Sequence, residues 1–351
     1  MSGLNLKRKI RVLIVDDSPV VRQLLRVTLE QSDQLEVVGT AGDPYLAVQK
    51  IKELNPDVLT LDVEMPKMNG LEFLKRLMIA HPLPVVMVST LTLSGSKVTL
   101  KALELGAVDF VAKPNLSDKE EKREFQREII SKVETAAKVD IRKLKSHSLH
   151  IADKSIQLKK DTSNKLIAIG ASTGGVTAIR NILPHFPKSS PGIIIVQHMP
   201  QGFTKTFADN LDKISSIKVK EAEDGDQVLA GQALVVPGGY HMKIIKKGSS
   251  YYSKLITGPK VNYQRPAVDV TFGSLAQIAG AETIGVLLTG MGKDGAKGLK
   301  MIKDTGGYTL VQNQETSTIF GMPKQAIELG AASEIVALNQ IPSKVIDLLN
   351  D

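Results

Sequence analysis

The chain has 351 residues, 42% hydrophobic and 23% charged, the balance of a folded protein with room for two cores. It has no cysteine, which excludes disulfides, thiolate metal sites and cysteine nucleophiles. Its net charge of +8 concentrates in one polar stretch, where Lys138, Arg142, Lys143, Lys145, Lys154, Lys159 and Lys160 face only Asp140 and Asp153. That is the pattern of a solvated linker. With no zinc-finger spacing and no basic-aromatic interleaving, no nucleic-acid partner is expected. No run of about 18 apolar residues is present, and MSGLNLKRKI lacks the apolar core of a signal peptide. Membrane insertion is therefore not expected, and the expected location is the cytoplasm.

The first half alternates strictly. Strands are expected at Ile10–Val15, Leu35–Gly39, Val58–Leu61, Val85–Val88 and Asp109–Ala112. Between them the spacing predicts helices at Val20–Leu29, Pro44–Leu54, Leu71–Ala80 and Lys97–Leu105, and one from about Glu120 to Ala137 closes the unit. Ser18 is the expected cap of the first helix, with Pro19 in its first turn. Alternation of this kind predicts a parallel sheet with helices on both faces.

In such sheets, ligands sit beyond the carboxyl ends of the strands. Asp16, Asp17, Asp62, Ser89 and Lys113 all fall there. Three clustered carboxylates repel unless a hard divalent cation joins them, and oxygen-only ligation suits Mg2+. A lysine and a hydroxyl nearby suit phosphoryl oxygens, and Asp62 between metal and lysine is placed for in-line attack on a phosphoryl donor. Taken singly, an Asp-Asp pair can be a helix cap and a Lys-Pro pair a turn; together, on one sheet edge, they point to a site.

IVDDS, LTLDVEMPKMNG, MVST and VDFVAKP make residues 10–128 resemble the receiver domain of a two-component response regulator. The resemblance implies a flavodoxin-like fold and phosphorylation of Asp62 by a histidine kinase. It implies Mg2+ held by Asp17, Asp62 and the backbone carbonyl of Glu64, with Asp16 in support. Ser89, Lys113 and Phe110 would respond to the phosphoryl group. Residues 129–162 read as a linker; His147 and His150 in it have no partner by pattern.

The second half, 163–351, alternates again. Expected strands are Leu166–Ile169, Ile193–Gln197, Lys218–Glu221, Ala233–Val236, Thr283–Leu288, Tyr308–Val311 and Glu334–Leu338. Helices are expected at Val176–Leu183, Phe203–Ile214, Ala267–Ala279, Ala296–Asp304 and Met322–Leu329, and a hairpin at His241–Lys246 with Tyr251–Thr257. This is a second doubly wound domain.

Within it, KLIAIGASTGGV reads as a strand, broken at Gly170, then a glycine turn and a helix. A dinucleotide fingerprint fails because Ser172 stands at its middle glycine. G-x-S-x-G, the nucleophile elbow, is matched by Gly170, Ser172 and Gly174. On the motif alone, a helix-cap serine fits equally.

A nucleophilic serine needs a base and an orienting carboxylate. Of six histidines, only His198 ends a fully apolar strand, IIIVQH, on the edge that carries Ser172. Asp294 lies in a glycine-rich turn after another buried strand, where it could also cap the following helix. The order Ser, His, Asp is not that of the α/β-hydrolases, where the acid precedes the histidine.

IGASTGG, IIIVQHMP, QRPAVDVTF and LLTGMGKDGA are similar to the catalytic domain of the chemotaxis protein-glutamate methylesterases, over about 163–350. The resemblance implies hydrolysis of glutamate methyl esters on methyl-accepting chemoreceptors, with methanol released, and deamidation of receptor glutamines. It assigns an oxyanion hole to backbone N–H groups near Met291 and Thr173, needs no cofactor for the esterase step, and makes the chemotaxis histidine kinase the phosphodonor. Rival readings are a receiver-controlled DNA-binding regulator, for which no basic recognition helix is found, and a nucleotide-dependent enzyme.

Overall fold

The structure, a computed structural model, describes residues 8–66, 68–90, 92–115, 117–141 and 164–350. The chain divides into two compact units, Met1–Lys145 and Ser146–Asp351.

The first unit runs β1 (Ile10–Val15), α1 (Pro19–Leu29), β2 (Leu35–Ala41), α2 (Pro44–Leu54), β3 (Val58–Asp62), α3 (Gly70–Ala80), β4 (Val85–Ser89), α4 (Leu93–Glu104), β5 (Asp109–Ala112), α5 (Lys119–Ala136). All pairings are parallel, in the order β2-β1-β3-β4-β5. β3 and β4 are buried along their whole lengths, as continuous apolar strands covered on both faces must be.

Short polar side chains set the helix starts. Ser18 accepts from the Val21 N–H, Asp43 from Leu46 and Asn69 from Glu72. α4 begins at Leu93, four residues before the expected Lys97, because Thr92 Oγ1 accepts from the Gly95 N–H at 2.9 Å and caps an earlier turn.

The expected boundary at 128 falls inside α5, whose Ile129, Val133 and Ala136 are fully buried. Residues 129–141, expected as the start of the linker, therefore pack with this unit, Val139 and Ile141 included. The rest of the expected linker, with His147 and His150, lies outside the described residues.

The second unit begins with β6 (Leu166–Ala171), α6 (Gly175–Ile182), β7 (Gly192–Gln197), α7 (Phe203–Asp212), β8 (Lys218–Glu221) and β9 (Gln232–Val235). The hairpin β10 (His241–Lys247) and β11 (Ser250–Ile256) follows. Then come α8 (Val268–Ile278), β12 (Thr283–Leu287), α9 (Ala296–Asp304), β13 (Tyr308–Gln312), α10 (Met322–Glu328), β14 (Glu334–Val336) and α11 (Ile341–Asn350).

The seven-stranded sheet is parallel throughout, ordered β14-β13-β12-β6-β7-β9-β8. β6, its first strand, lies between β12 and β7, so the order reverses there and a crevice opens beyond its carboxyl end. α8 and α9 pack on one face through Phe272, Leu275, Leu299 and Ile302, all fully buried; each such side chain contributes about 1.5–3 kcal/mol by leaving water.

Two expectations change here. β6 does not break at Gly170: it continues to Ala171, with Gly170 paired to Leu287 on one side and Val196 on the other. Gly170 is a packing glycine, since a Cβ there would lie 2.5 Å from Val268 Cγ1 of α8. The last expected strand stops at Val336, and Leu338–Gln340 turns into α11, a helix not expected from the sequence, which buries Ile341, Val345, Ile346 and Leu349.

Candidate active site and phosphoryl-acceptor site

In the second unit, the register sets the site. Ala171 pairs with Gln197, so Ser172 and His198 are the next residues on neighbouring strands, spaced by about 4.8 Å. The His198 N–H donates to Ala171 O at 3.1 Å. Beyond β6 the chain turns sharply: the Gly175 N–H donates back to Ser172 O at 2.7 Å, and the Ser172 N–H donates to Thr289 O at 3.0 Å. Gln197, buried, clamps both residues, with Nε2 donating to Ser172 O at 2.9 Å and to His198 O at 3.2 Å.

The turn after β12 closes over the serine. A Cβ on Gly290 would lie 2.8 Å from Ser172 Cβ and 2.3 Å from Met322 Sδ, so only glycine allows that approach. Thr289 ties the pieces together: its Oγ1 donates to Thr173 O at 3.0 Å and accepts from the Ile319 N–H at 2.9 Å. Thr173 and Met291, the expected oxyanion residues, flank the serine from its own turn and from this one.

His198 Nε2 lies 2.7 Å from Asp294 Oδ2, with the two side chains 5% and 2% exposed. Between a neutral imidazole and a carboxylate, that nitrogen must carry the hydrogen. His198 Nδ1 is then the basic nitrogen, and it is buried without a hydrogen-bond partner. The Ser172 hydroxyl does not close a bond to it here, a common looseness of sites without substrate.

Asp294 does not cap the helix that follows it. Its Oδ2 accepts from the Val268 N–H at 2.6 Å and its Oδ1 from the Asp269 N–H at 3.2 Å, both in the first turn of α8. Asp269 reciprocates, accepting from the Gly298 N–H of α9 at 2.7 Å. Asn262 Nδ2 donates to Asp294 Oδ1 and to Asp269 Oδ2, each at 2.9 Å. Burial pushes the Asp294 carboxyl up, but the His198, Asn262 and Val268 donors outweigh it and hold the group below the usual carboxylate range. Asp269, buried beside that charge, is pushed up.

Gln197, Asn262, Asp269 and Thr289 were not singled out in the sequence. Only Asp269, inside QRPAVDVTF, lay in a motif that had been singled out. His241 is structural: Nε2 donates to Pro259 O at 3.0 Å, and Nδ1 accepts from the Ala267 N–H at 3.2 Å.

In the first unit, the expected acidic cluster forms at the β1/β3 switch point. Carboxylate oxygens of Asp16, Asp17 and Asp62 lie within 4.8 Å of one another. Asp16 and Asp62 are buried and Asp17 is exposed. Lys113 Nζ lies 3.0 Å from Asp16 and 2.9 Å from Asp62. Burial raises the Asp62 pKa, with Lys113 opposing and Asp16 adding to the rise. For Lys113, burial pulls the pKa down, and the two carboxylates more than offset it. An all-oxygen, open-sided donor set of this kind fits Mg2+.

Ser89 is buried at the end of β4, and the Lys113 N–H donates to Ser89 O at 2.7 Å. Glu64 is exposed, just past β3. Phe110 is buried. Lys132 of α5 lies over its ring at 5.2 Å and donates to Phe110 O at 2.6 Å. No helix among the described residues is long and apolar enough to cross a membrane.

Among known proteins, the family model described as CheB methylesterase matches residues 167–345, and that of the response regulator receiver domain matches 12–123. A protein-glutamate methylesterase/protein-glutamine glutaminase of Escherichia coli is 51% identical over 338 residues, 96% of each chain. Another so named, from Thiobacillus denitrificans, is 49% identical over 343 residues, 97% of this chain and 96% of that one. The crystal structure of the Thermotoga maritima CheB methylesterase catalytic domain superposes with a TM-score of 0.52 at 43% identity, covering 52% of this chain and 98% of that one. With a receiver unit, a methylesterase unit and full-length relatives at this identity, the chain belongs to the CheB family of response-regulator methylesterases.

Proposed function

We propose that Ser172, His198 and Asp294 carry out the family's reaction, hydrolysis of glutamate methyl esters and deamidation of glutamines on chemoreceptors in chemotactic adaptation. The observation that carries the assignment is the Asp294–His198 bond, 2.7 Å long, beside a serine at the sheet's switch point. Ser172 Oγ attacks the ester carbonyl carbon while its proton passes to His198 Nδ1. Asp294 holds the ring and stabilises the imidazolium. Backbone N–H groups of Thr173 and Met291 take the developing oxyanion. The carbon–oxygen bond to the methoxy group breaks as His198 returns the proton, and methanol leaves. Water, deprotonated by the same nitrogen, then attacks the acyl-serine and releases glutamate. A glutamine amide presents the same carbonyl and loses ammonia instead.

As in receiver domains generally, the activity is linked to Mg2+-dependent phosphorylation. In our reading, Asp62 is the acceptor, with a histidine kinase as phosphodonor. Asp17, Asp62 and the Glu64 carbonyl would hold the ion, supported by Asp16, and Lys113 and Ser89 would bind the incoming phosphoryl oxygens. Bound there, Mg2+ would neutralise charge on the transferring group. Phe110 would respond through its packing.

The test is Ser172→Ala in the full chain. Methanol release from a methylated receptor should fall by about 10³-fold or more, with thermal unfolding unchanged. Near-normal release would sink the assignment.

A further inference from the structure

A two-residue turn supplies Asp294 with its side-chain donor other than His198. Val261 and Gln264 exchange both backbone hydrogen bonds, and the residues between them, Asn262 and Tyr263, have φ of +52° and +64°. Turns with both central residues left-handed favour Asn-Gly. Asn at the first position is well accommodated; Tyr at the second is costly. The turn is therefore not shaped for its own stability alone.

Its side chain reaches inward. The two hydrogens of Asn262 Nδ2 are divided between Asp294 Oδ1 and Asp269 Oδ2, both 2.9 Å away. Asp294 Oδ1 is the oxygen that does not meet His198. A donor there fixes the carboxylate's rotation and leaves Oδ2 facing the imidazole. Without the amide, two carboxylates would face each other with no side-chain donor between them, an arrangement that favours a shared proton over two charges.

We infer that Asn262 is a positioning residue for the esterase reaction, orienting Asp294 toward His198 and keeping it apart from Asp269. The inference rests on the triad reading above. The titratable groups facing the amide are Asp294 and Asp269, with His198 one bond beyond. Lys260 and Arg265 flank it on its own loop, His241 lies on β10, and Lys293 and Lys297 border Asp294.

Two substitutions that both suit a left-handed backbone separate this role from turn formation. The assay is methanol release by the full chain with Mg2+ and acetyl phosphate. Asn262→Gly removes the donor and should lower kcat by about tenfold or more with KM unchanged. Asn262→Asp turns carboxylate oxygens toward two carboxylates and should lower kcat further, by about 100-fold near neutral pH. Its kcat relative to the parent should recover as pH falls and the introduced carboxyl takes up a proton; that of Asn262→Gly should not. Parental kcat in both variants overturns the inference, as does a loss confined to KM or one that only follows lowered thermal stability. Ser172→Ala measured alongside keeps the two questions apart: an inactive serine variant leaves the triad standing whatever the Asn262 variants do.

Discussion

Gly290→Ala tests whether the turn after β12 sets the position of the serine. The added methyl would sit 2.3 Å from Met322 Sδ, 2.8 Å from Ser172 Cβ and 3.2 Å from Ser172 N. The first clash is with the far end of a flexible side chain, which can rotate. The second cannot be relieved that way, because Ser172 Cβ is fixed to a backbone bonded to Thr289 O and Gly175 N. Relief therefore requires the elbow and the 289–292 turn to part by several tenths of an ångström. Overpacking of this sort costs about 1–3 kcal/mol of stability. A displacement approaching 1 Å of a nucleophile costs about 100-fold in rate, equivalent to about 2.7 kcal/mol of barrier. The expected result is a folded protein, with a lowered melting temperature and kcat for methanol release reduced about 10- to 100-fold. Full kcat with unchanged stability would refute the reasoning, since it would mean that the turn can yield without moving the serine.

Two further outcomes follow from the electrostatics of the two sites. Asp62→Asn should take up no phosphoryl group from acetyl phosphate, and chelating Mg2+ should abolish uptake by the parent; labelled uptake persisting in the variant would place the acceptor elsewhere. The Asp294 carboxyl is held low by its donors in the folded state, so its contribution to stability is present above the unfolded value of about 3.9 and is lost as pH falls through the lower folded value. Asp294→Asn should therefore unfold at lower urea concentration than the parent at neutral pH, by about 3 kcal/mol for a broken buried pair, and the gap should narrow below about pH 4. A gap that stays constant to pH 3 would contradict the assigned direction.

Burial periodicity and strand ends were legible in the sequence because both are local. A run such as IIIVQH can only be a strand covered on both faces, and whatever follows it must emerge at the sheet edge. Hence Ser172, His198 and Asp294, and separately Asp16, Asp62 and Lys113, could be placed from pattern. Gly170 was misread because a glycine that breaks a strand and a glycine that admits a neighbouring helix look alike until Val268 is in place. α4 was started late because Thr92 was not read as a cap, and α11 was missed although Ile341, Val345 and Leu349 recur at helical spacing.

What tertiary structure alone decided is which partner each polar group meets. The hydrogen bond from His198 to Asp294 spans 96 residues, so nothing local says that it uses Nε2 and leaves Nδ1 as the base. Asp294 stands next to α9 in sequence yet caps α8, and Asp269 in α8 caps α9, because the two helix starts cross at close range. Asn262, 32 residues from Asp294, read as a loop residue. Its role appears only when a left-handed turn carries its amide between two buried carboxylates, a geometry set by long-range packing that periodicity does not encode.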